Sequence, residues 1–568
     1  MKRRWFWFWL CIVFGLLLLG CGLLVPAHLR AVDASVVLSA GRTGDALLER
    51  AKILVDADRL GAAQLLVSAA RTAEMPGWDR LGESLTNRAT QNPGALFWGN
   101  DEGAKNLFNA QTAGDSFSSF IVQQENREAA LAHLNNSTSS AVQELLRCRA
   151  LNHTVLFPPS SSVAGQAFDA VVAECGLLLD GHRLTPALSG QIQQLAEQAN
   201  HGGGSQPLEQ VLMDFGSLGE RLNWDQLTAF VGEISDPDVL HQLAAQMINA
   251  GDRLPVLFAA VQLSGQPAAV AGYAAKFPKT GLQDISAGLW YGANGVKALA
   301  GSGQRFYRSN VLRRVTARNP FGAVYYFAAN RSLQNPGLVL AAKWLCYLGA
   351  GFFFAAALHF SRPPVSPLEQ SLQVRGFHLF REFLFSLGFL LVVLLLSEPF
   401  LAQESQTGGF SLRLHLPMTG GAVPAGIAGI KQTVMNPTIL LTLLVFFVLQ
   451  ALIYISCLVK LAEIRRQQVP PRMKLKLLEN EDHLFDAGLY LGFVGTIISL
   501  IIASMGLVKF SLMAAYSSTS FGIIFVVIFK IFHLRPAQRK LLMEVELAEA
   551  TAVSRPVRAP QPTPALTS

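Results

Sequence analysis

The last two apolar segments of the sequence contain a concentration of small and hydroxyl-bearing residues at helical spacing. We call these residues the polar seam: Gly492, Gly495, Thr496, Ser499, Ser518, Thr519 and Gly522. Glycines allow two helices to approach closely, and hydroxyl groups either bond across helices or line a wet path through a membrane. Two interpretations follow: tight packing of a helix hairpin, or a path for ion passage or force coupling.

Two charged residues, Lys343 and Glu398, also lie in apolar segments. Charged side chains are costly in lipid and usually face protein or water. One alternative is a salt bridge between them, since both are predicted near the same side of the membrane. The other is that each side chain reaches the polar interface independently, by extending its flexible stem.

The sequence lacks the usual signatures of an enzyme. It contains no HExxH zinc motif, no GxxxxGK[ST] phosphate loop and no GxSxG nucleophile motif. Its basic clusters come without a DNA- or RNA-binding motif, so they do not indicate nucleic-acid binding. We therefore expect a protein that is not an enzyme and has no catalytic residues, no cofactor and no metal site.

Cys148 and Cys175 are the two cysteines that lie outside the apolar segments. They flank a predicted helical hairpin, and in an oxidising compartment this pattern favours a disulfide. The alternative is two separately buried thiols. Metal binding is not indicated, because neither cysteine has the CxxC or histidine spacing of a metal site.

Composition identifies the elements that must position these residues. Charged residues make up 15% of the 568, against roughly 25% in an ordinary soluble protein. The mean hydropathy is +0.33. These values exclude a disordered, collagen-like or disulfide-framework protein. The apolar residues are concentrated at the N-terminus and between about 337 and 533, which predicts a polytopic membrane protein with one large extramembrane domain.

Six apolar stretches predict membrane spans: Trp5–Val25, 338–360, 379–398, 438–459, 485–507 and 511–533. The first follows Lys2, Arg3 and Arg4, which is typical of a signal anchor; cleavage or lipidation at Cys21 is the alternative. Basic residues are concentrated after the fourth and sixth stretches. We expect the inner membrane of a bacterium as the location, and the positive-inside rule then predicts that both termini are cytoplasmic and residues 29–336 periplasmic.

The predicted organisation is all-α. It comprises a signal anchor (1–28), an exported helical domain (29–336), a helix pair (337–402), an exported loop (403–436), a three-span region (437–535) and a cytoplasmic Pro-rich tail (536–568). In the exported domain, short helix pairs separated by Asp, Pro and Gly suggest a solenoid-like stack. An irregular helical bundle is the alternative.

The three-span region resembles a known family at its motifs. Gly492-Phe493-Val494-Gly495-Thr496 looks like the Gly-Leu-Leu-Gly-Thr signature of the MotA/TolQ/ExbB proton-channel family. Ser518-Thr519-Ser520-Phe521-Gly522 is similar to that family's Thr-Ala-x-Gly signature. The resemblance covers about 438–535. It implies that Thr496 and Thr519 occupy the two hydroxyl positions that line the family's channel.

The resemblance also implies partners. It points to a homo-oligomer in the lipid bilayer and to a single-span partner of the ExbD/TolR type that carries an aspartate. The acidic residue often found early in the last span of the importer branch is missing, and Ala514 stands in its place. The leading hypothesis is thus a divergent channel or stator subunit. The alternative is a non-enzymatic scaffold whose exported domain binds another envelope protein.

Overall fold

The computed structural model describes residues 2–41, 46–108, 116–150, 162–309, 321–361, 377–400, 437–504 and 512–553. The chain begins with helix α1 (Lys2–Leu24) and divides into two compact units. The terminal unit combines Met1–Leu24 with Ala341–Ser568, and the central unit is Val25–Leu340. The predicted loop 403–436, and the part of the predicted tail after residue 553, lie outside the described residues.

The central unit is built from short helices. They are α2 (Ala34–Gly41), α3 (Leu47–Asp56), α4 (Leu60–Thr72), α5 (Trp78–Gln91), α6 (Gly94–Trp98), α7 (Glu102–Phe108), α8 (Phe117–Ile121), α9 (Gln124–Asn135), α10 (Ser140–Ala150), α11 (Val163–Asp180), α12 (Pro186–Asn200), α13 (Gln206–Gly219), α14 (Trp224–Val231), α15 (Pro237–Ala250), α16 (Leu254–Ser264), α17 (Pro267–Lys276), α18 (Gly281–Leu289), α19 (Gly292–Ser302) and α20 (Phe321–Gln334). A single 3₁₀ turn, Gly251–Arg253, joins α15 to α16.

Alternate helices of the central unit pack in rows. One row runs from α9 through α11, α13, α15 and α17 to α19, and a second runs from α14 through α16 to α18. The buried apolar side chains of these helices merge into a continuous core that extends from Leu47 to Ala300. This packing of each helix on the next but one is the kind of contact that repeated helix pairs make.

A buried aspartate joins α4 to α14. Asp225 is 1% exposed. Arg59 donates from Nε to its Oδ1 (2.8 Å), and the backbone N–H of Ala62 donates to its Oδ2 (2.9 Å). Burial raises the pKa of Asp225, while the Arg59 cation and these hydrogen bonds act in the opposite direction. The carboxylate thus satisfies a backbone donor in the first turn of α4, which has no other partner within its helix.

The all-helical prediction misses one pair of strands. β1 (Ala31–Asp33) and β2 (Arg305–Tyr307) are parallel, with Ala31 opposite Arg305. Asp33, at the end of β1, accepts a hydrogen bond from the hydroxyl of Tyr325 (2.6 Å). Three-residue strands from distant parts of the chain leave no alternating pattern in the sequence, so periodicity could not indicate them. The helical class nevertheless holds for the described residues.

The terminal unit consists of longer, apolar helices. After α1 come α21 (Pro336–Ser361), α22 (Phe377–Ser397), α23 (Pro437–Arg466), α24 (Pro471–Asn480), α25 (Asp482–Phe485), α26 (Ala487–Ser504), α27 (Leu512–Phe529), a π-helical turn (Lys530–Leu534) and α28 (Arg535–Val553). The first residues of α21 belong to the central unit. Within the terminal unit, α1 lies against α21, where the rings of Phe14 and Phe353 stack.

Four helical stretches among the described residues are long and apolar enough to cross a membrane: Arg3–Leu24, Pro336–Ser361, Phe446–Arg466 and Tyr516–Leu547. Six spans were predicted. The other two, 379–398 and 485–507, lie on α22 and α26, where the apolar stretches of described residues are Phe385–Leu394 and Ala487–Ile497. For the described residues, the structure therefore supports four of the six predicted membrane-spanning helices.

The predicted disulfide is wrong. Cys148 and Cys175 are both free and buried. The Cys148 thiol lies against α12, where it donates to the carbonyl oxygen of Ala196 (3.2 Å). Cys175 lies on α11 and is completely buried. Their spacing in the sequence was compatible with a bridge, but the Cys148 thiol bonds to α12 instead of to Cys175.

This burial predicts how the thiols react. Burial, together with the nearby Glu144 carboxylate, raises the pKa of Cys148 to about 11. Burial also raises the pKa of Cys175. Because the thiolate is the reactive form, we expect both to resist a maleimide in the native protein at pH 8. Without reductant, both should react after unfolding, as peptide mass spectrometry would show. The reference is the labelling of the unfolded chain in the presence of a reductant. A need for reductant would contradict the structure.

Candidate functional site

The polar seam lies where α26 packs along α27, with α23 against both. Its glycines are points of backbone contact. A Cβ atom on Gly492 would lie 2.8 Å from the carbonyl oxygen of Ser518, and one on Gly522 would lie 2.7 Å from that of Gly488. At Gly495 the obstacle would be the Ser518 hydroxyl, at 2.7 Å. A side chain at Gly492 or Gly522 would force the two helices apart, because it would meet a backbone atom.

The two threonines meet across this contact. Oγ1 of Thr496 and Oγ1 of Thr519 are 2.6 Å apart, and both hydroxyls also lie within hydrogen-bond distance of the Gly492 carbonyl oxygen (3.1 and 3.3 Å). When Thr519 donates to Thr496 and Thr496 donates to Gly492, both protons are used. These two hydrogen bonds form a short row that begins at Thr519. Because Thr519 is only half-buried, its hydroxyl oxygen can still accept a hydrogen bond from outside this row.

Ser518 is also part of the contact and is 2% exposed. The structure thus brings together six of the seven residues of the polar seam: Gly492, Gly495, Thr496, Ser518, Thr519 and Gly522. The seventh, Ser499, lies on α26, and its side chain is outside the described ones. Tight packing and a hydroxyl chain therefore coexist at one place, so the two interpretations of the sequence do not exclude each other.

Sequence reasoning missed Gln450. This amide on α23 is 1% exposed and donates from Nε2 to the carbonyl oxygen of Gly488 (3.0 Å). It also borders Gly492 and Gly522, where added Cβ atoms would lie 3.4 and 3.3 Å from Nε2. The available signal was a lone polar residue in the middle of an apolar span, which is costly in lipid and marks an internal face.

Lys343 and Glu398 form a salt bridge. Lys343 Nζ lies 3.0 Å from Glu398 Oε1, and the two side chains are 1% and 2% exposed. Lys343 projects from α21, while Glu398 follows the last residue of α22 and donates its backbone N–H to Leu394 (3.0 Å). The alternative of independent snorkelling is wrong, because side chains this deeply buried do not reach the interface.

A resident metal ion has no evident ligand set in the described part of the chain. No group of three or more His, Cys, Asp and Glu side chains there is arranged to hold one. The chemistry available to the polar seam is therefore that of hydroxyls, backbone carbonyls and one carboxamide. These groups transfer or orient protons, or coordinate small cations weakly, but they do not carry a charge themselves.

No protein-family model, curated protein or solved structure matches this chain. The functional interpretation consequently rests on the motifs and on the geometry of the polar seam.

Proposed function

We propose that residues 437–535 form a divergent ion-conducting subunit of the MotA/TolQ/ExbB type, which couples ion flow to work in the cell envelope. One observation carries the proposal: Thr496 and Thr519 lie on two different helices, and their hydroxyl oxygens are 2.6 Å apart. These are the two positions that the motif resemblance assigns to the channel lining. Thr519 is the half-buried member of this pair, so its hydroxyl group can form a hydrogen bond with a proton carrier that passes beside it.

The proton carrier would have to come from a partner. The sequence from Ala487 to Phe529 contains no Asp or Glu, and hydroxyls alone do not titrate near neutral pH. A single-span partner of the ExbD/TolR type would supply its aspartate beside Thr519. Copies of this chain would surround that partner as a homo-oligomer, and the protonated and ionised forms of the aspartate would exchange hydrogen bonds with the threonine pair.

The proposed setting is the inner membrane of a bacterium. We propose six spans with both termini in the cytoplasm, a signal anchor at the N-terminus, and residues 29–336 in the periplasm. Support comes from the distribution of charge. Basic residues follow the helices α23 and α27, and the positive-inside rule places such residues in the cytoplasm. In this orientation the exported domain would receive the work that ion flow drives.

The direct test is proton flux. The full chain would be reconstituted in vesicles with the single-span, aspartate-bearing protein that co-purifies with it. Replacing Thr496 or Thr519 by the isosteric valine should lower the flux about tenfold or more, because a hydrogen bond to a charged group is worth about 1.5–3 kcal/mol. Ser520→Ala, on the exposed side of the same helix, should leave the flux unchanged. Flux equal to that of empty vesicles for the wild-type complex would rule out a channel.

A second candidate, a scaffold that binds an envelope partner, is favoured by a groove in the central unit. The groove has a volume of about 460 Å³ and lies between α12, α13 and α15. Its lining contains four glutamines, three aspartates and one histidine, and no Lys or Arg. Asp214 is held there at 3.0 Å from Nδ1 of His241. This charge favours a basic partner.

A copurification experiment separates the two candidates. Under the scaffold hypothesis, the wild-type chain should capture a basic envelope protein, and the Asp236→Lys, Asp238→Lys double variant should not. Vesicles that contain the wild-type chain should then show no proton flux. The channel hypothesis expects the reverse: flux that is unaffected by these charge reversals.

A further inference from the structure

The groove between α12, α13 and α15 has a lining that suits a peptide segment. Its volume of about 460 Å³ lies within the range of about 300–1,000 Å³ that is usual for ligand sites. Gln191, Gln194 and Gln198 line it from one face of α12, since they are three and four residues apart. A carboxamide both donates and accepts hydrogen bonds, so these side chains can pair with the N–H and C=O groups of a bound peptide backbone.

One carboxylate of the groove is paired with a histidine. Asp214 on α13 is 5% exposed. Its Oδ1 accepts a hydrogen bond from Nε2 of Gln210 (3.1 Å) and lies 3.0 Å from Nδ1 of His241 on α15. Because an ionised carboxylate can only accept, Nδ1 is the nitrogen that carries a proton and donates it to this bond. Nε2 of His241 is then the nitrogen that gains or loses a proton near neutral pH.

The other charges of the groove lining are negative. Asp236 precedes the first residue of α15, and Asp238 lies one turn before His241 on the same helix; both are exposed. The residues that line the groove include no Lys or Arg. With His241 neutral, three carboxylates therefore attract a basic segment. With His241 protonated, the imidazolium offsets the Asp214 carboxylate and repels an incoming ammonium or guanidinium group.

Acidification acts on Asp214 in the same direction. Burial raises the pKa of Asp214, although its hydrogen bonds with His241 and Gln210 act in the opposite direction. A carboxyl group with a raised pKa takes up its proton sooner as the pH falls. Loss of this negative charge would weaken the attraction for a basic segment, as protonation of His241 does.

The remaining charged side chains on the elements around His241 lie outside the groove lining. They are Glu197 on α12, Glu209 on α13, Asp252 and Arg253 in the 3₁₀ turn, and Lys276 on α17. Glu197 accepts a hydrogen bond from Gln193 (2.9 Å), and Lys276 donates to the carbonyl oxygen of Gly303 (2.7 Å). The pair of His241 and Asp214 consequently determines how the charge of the groove changes between neutral and mildly acidic pH.

We propose that the groove binds a basic peptide segment of an envelope partner at neutral pH and releases it in acid, with His241 as the group whose protonation drives the release. This regulation rests on the scaffold function proposed for the same groove. It is independent of ion conduction by residues 437–535, because none of the groups that carry it lies in that region.

The test measures the affinity of the full chain in detergent for penta-lysine, by titration calorimetry at about pH 7.5 and about pH 5.5. The ionic strength is the same at both, because salt screens such charges. The wild-type dissociation constant should rise about tenfold or more in acid, since like charges then meet in the groove. In His241→Gln the side chain cannot take up a proton, so the dissociation constant should change much less.

Two further variants sharpen this test. His241→Arg places a permanent cation in the groove and should bind penta-lysine weakly at both pH values. The matched control is His133→Gln, because Nε2 of His133 lies 3.0 Å from Asp180 in a similar pair outside the groove. This variant should keep the pH response of the wild type. The side chain of His241 is 54% exposed, so both substitutions there are expected to leave the fold intact.

Each outcome bears on a different statement. A wild-type affinity that is equal at both pH values overturns the regulation and leaves the charge preference of the groove intact. A pH response that persists in His241→Gln, or tight binding by His241→Arg, also overturns the regulation. Absence of wild-type binding at either pH overturns the regulation and the scaffold function together. A pH response that is lost in His241→Gln and kept in His133→Gln supports the proposal.

Discussion

Replacing Glu398 by glutamine is expected to destabilise the full-length protein by about 3–5 kcal/mol, because it removes the carboxylate that neutralises a buried ammonium group. Lys343 Nζ is 3.0 Å from this carboxylate, and its side chain is 1% exposed. Lys343→Met should also be destabilising, because it leaves the Glu398 carboxylate buried without the ammonium group that neutralises it. The Lys343→Met, Glu398→Gln double variant should be less destabilised than the sum of the two, since no buried charge is then left over.

The measurement is thermal and chemical unfolding of the full chain in one detergent, arranged as a double-mutant cycle. Asp56→Asn is the control, because Asp56 pairs with Arg88 at 3.5 Å on an exposed surface. Exposed pairs of this kind contribute about 0–1 kcal/mol. Additive single variants would show that the buried pair does not act as a unit and would contradict this interpretation.

Gly522→Ala is expected to separate α26 from α27. The new methyl group would lie 2.7 Å from the Gly488 carbonyl oxygen, and a backbone atom cannot move aside as a flexible side chain does. Overpacking of this kind costs about 1–3 kcal/mol. Because Thr519 lies one turn before Gly522 on the same helix, the displacement should also break the hydrogen bond between Thr519 and Thr496. Both stability and flux should therefore fall.

Gly388→Ala on α22 provides the matched substitution. A Cβ atom there would meet nothing within 4 Å, and alanine favours a helix over glycine by about 1 kcal/mol. We expect this variant to be as stable as the wild type or slightly more so. Equal melting temperatures for Gly522→Ala and Gly388→Ala would show that the α26–α27 contact is looser than described.

The polar seam could be predicted because its residues carry local information. Gly492 and Thr496 are four residues apart, which places them on one helix face, and glycine paired with a hydroxyl residue is a recognisable packing pattern. Gln450 could not be assigned a role in this way. A single amide within a 30-residue helix shows that a polar partner exists, but its partner, the Gly488 carbonyl, is a backbone atom and leaves no trace in the sequence.

Other errors have physical reasons of the same kind. Cysteine spacing predicts which thiols are near each other along the chain but not which helix each one faces, and Cys148 faces α12. Helices α3 and α4 are separated at Asp58, which takes a positive φ of 56°. Apolar periodicity continues across such a turn. The division into an apolar terminal unit and a polar central unit could be predicted, since the amino-acid composition changes at the boundaries between the two units.

The contact of α20 with the start of the central unit has a mechanical consequence. The unit runs from Val25 to Leu340, and α20, near its end, packs on α2, near its start. Tension between the two tethers would therefore act first on this helix contact and on the hydrogen bond from Tyr325 to Asp33, before it reaches the pairing of β1 with β2. The rows of helices lie outside that load path. They would keep their shape, and with it the groove, while the tethers are pulled.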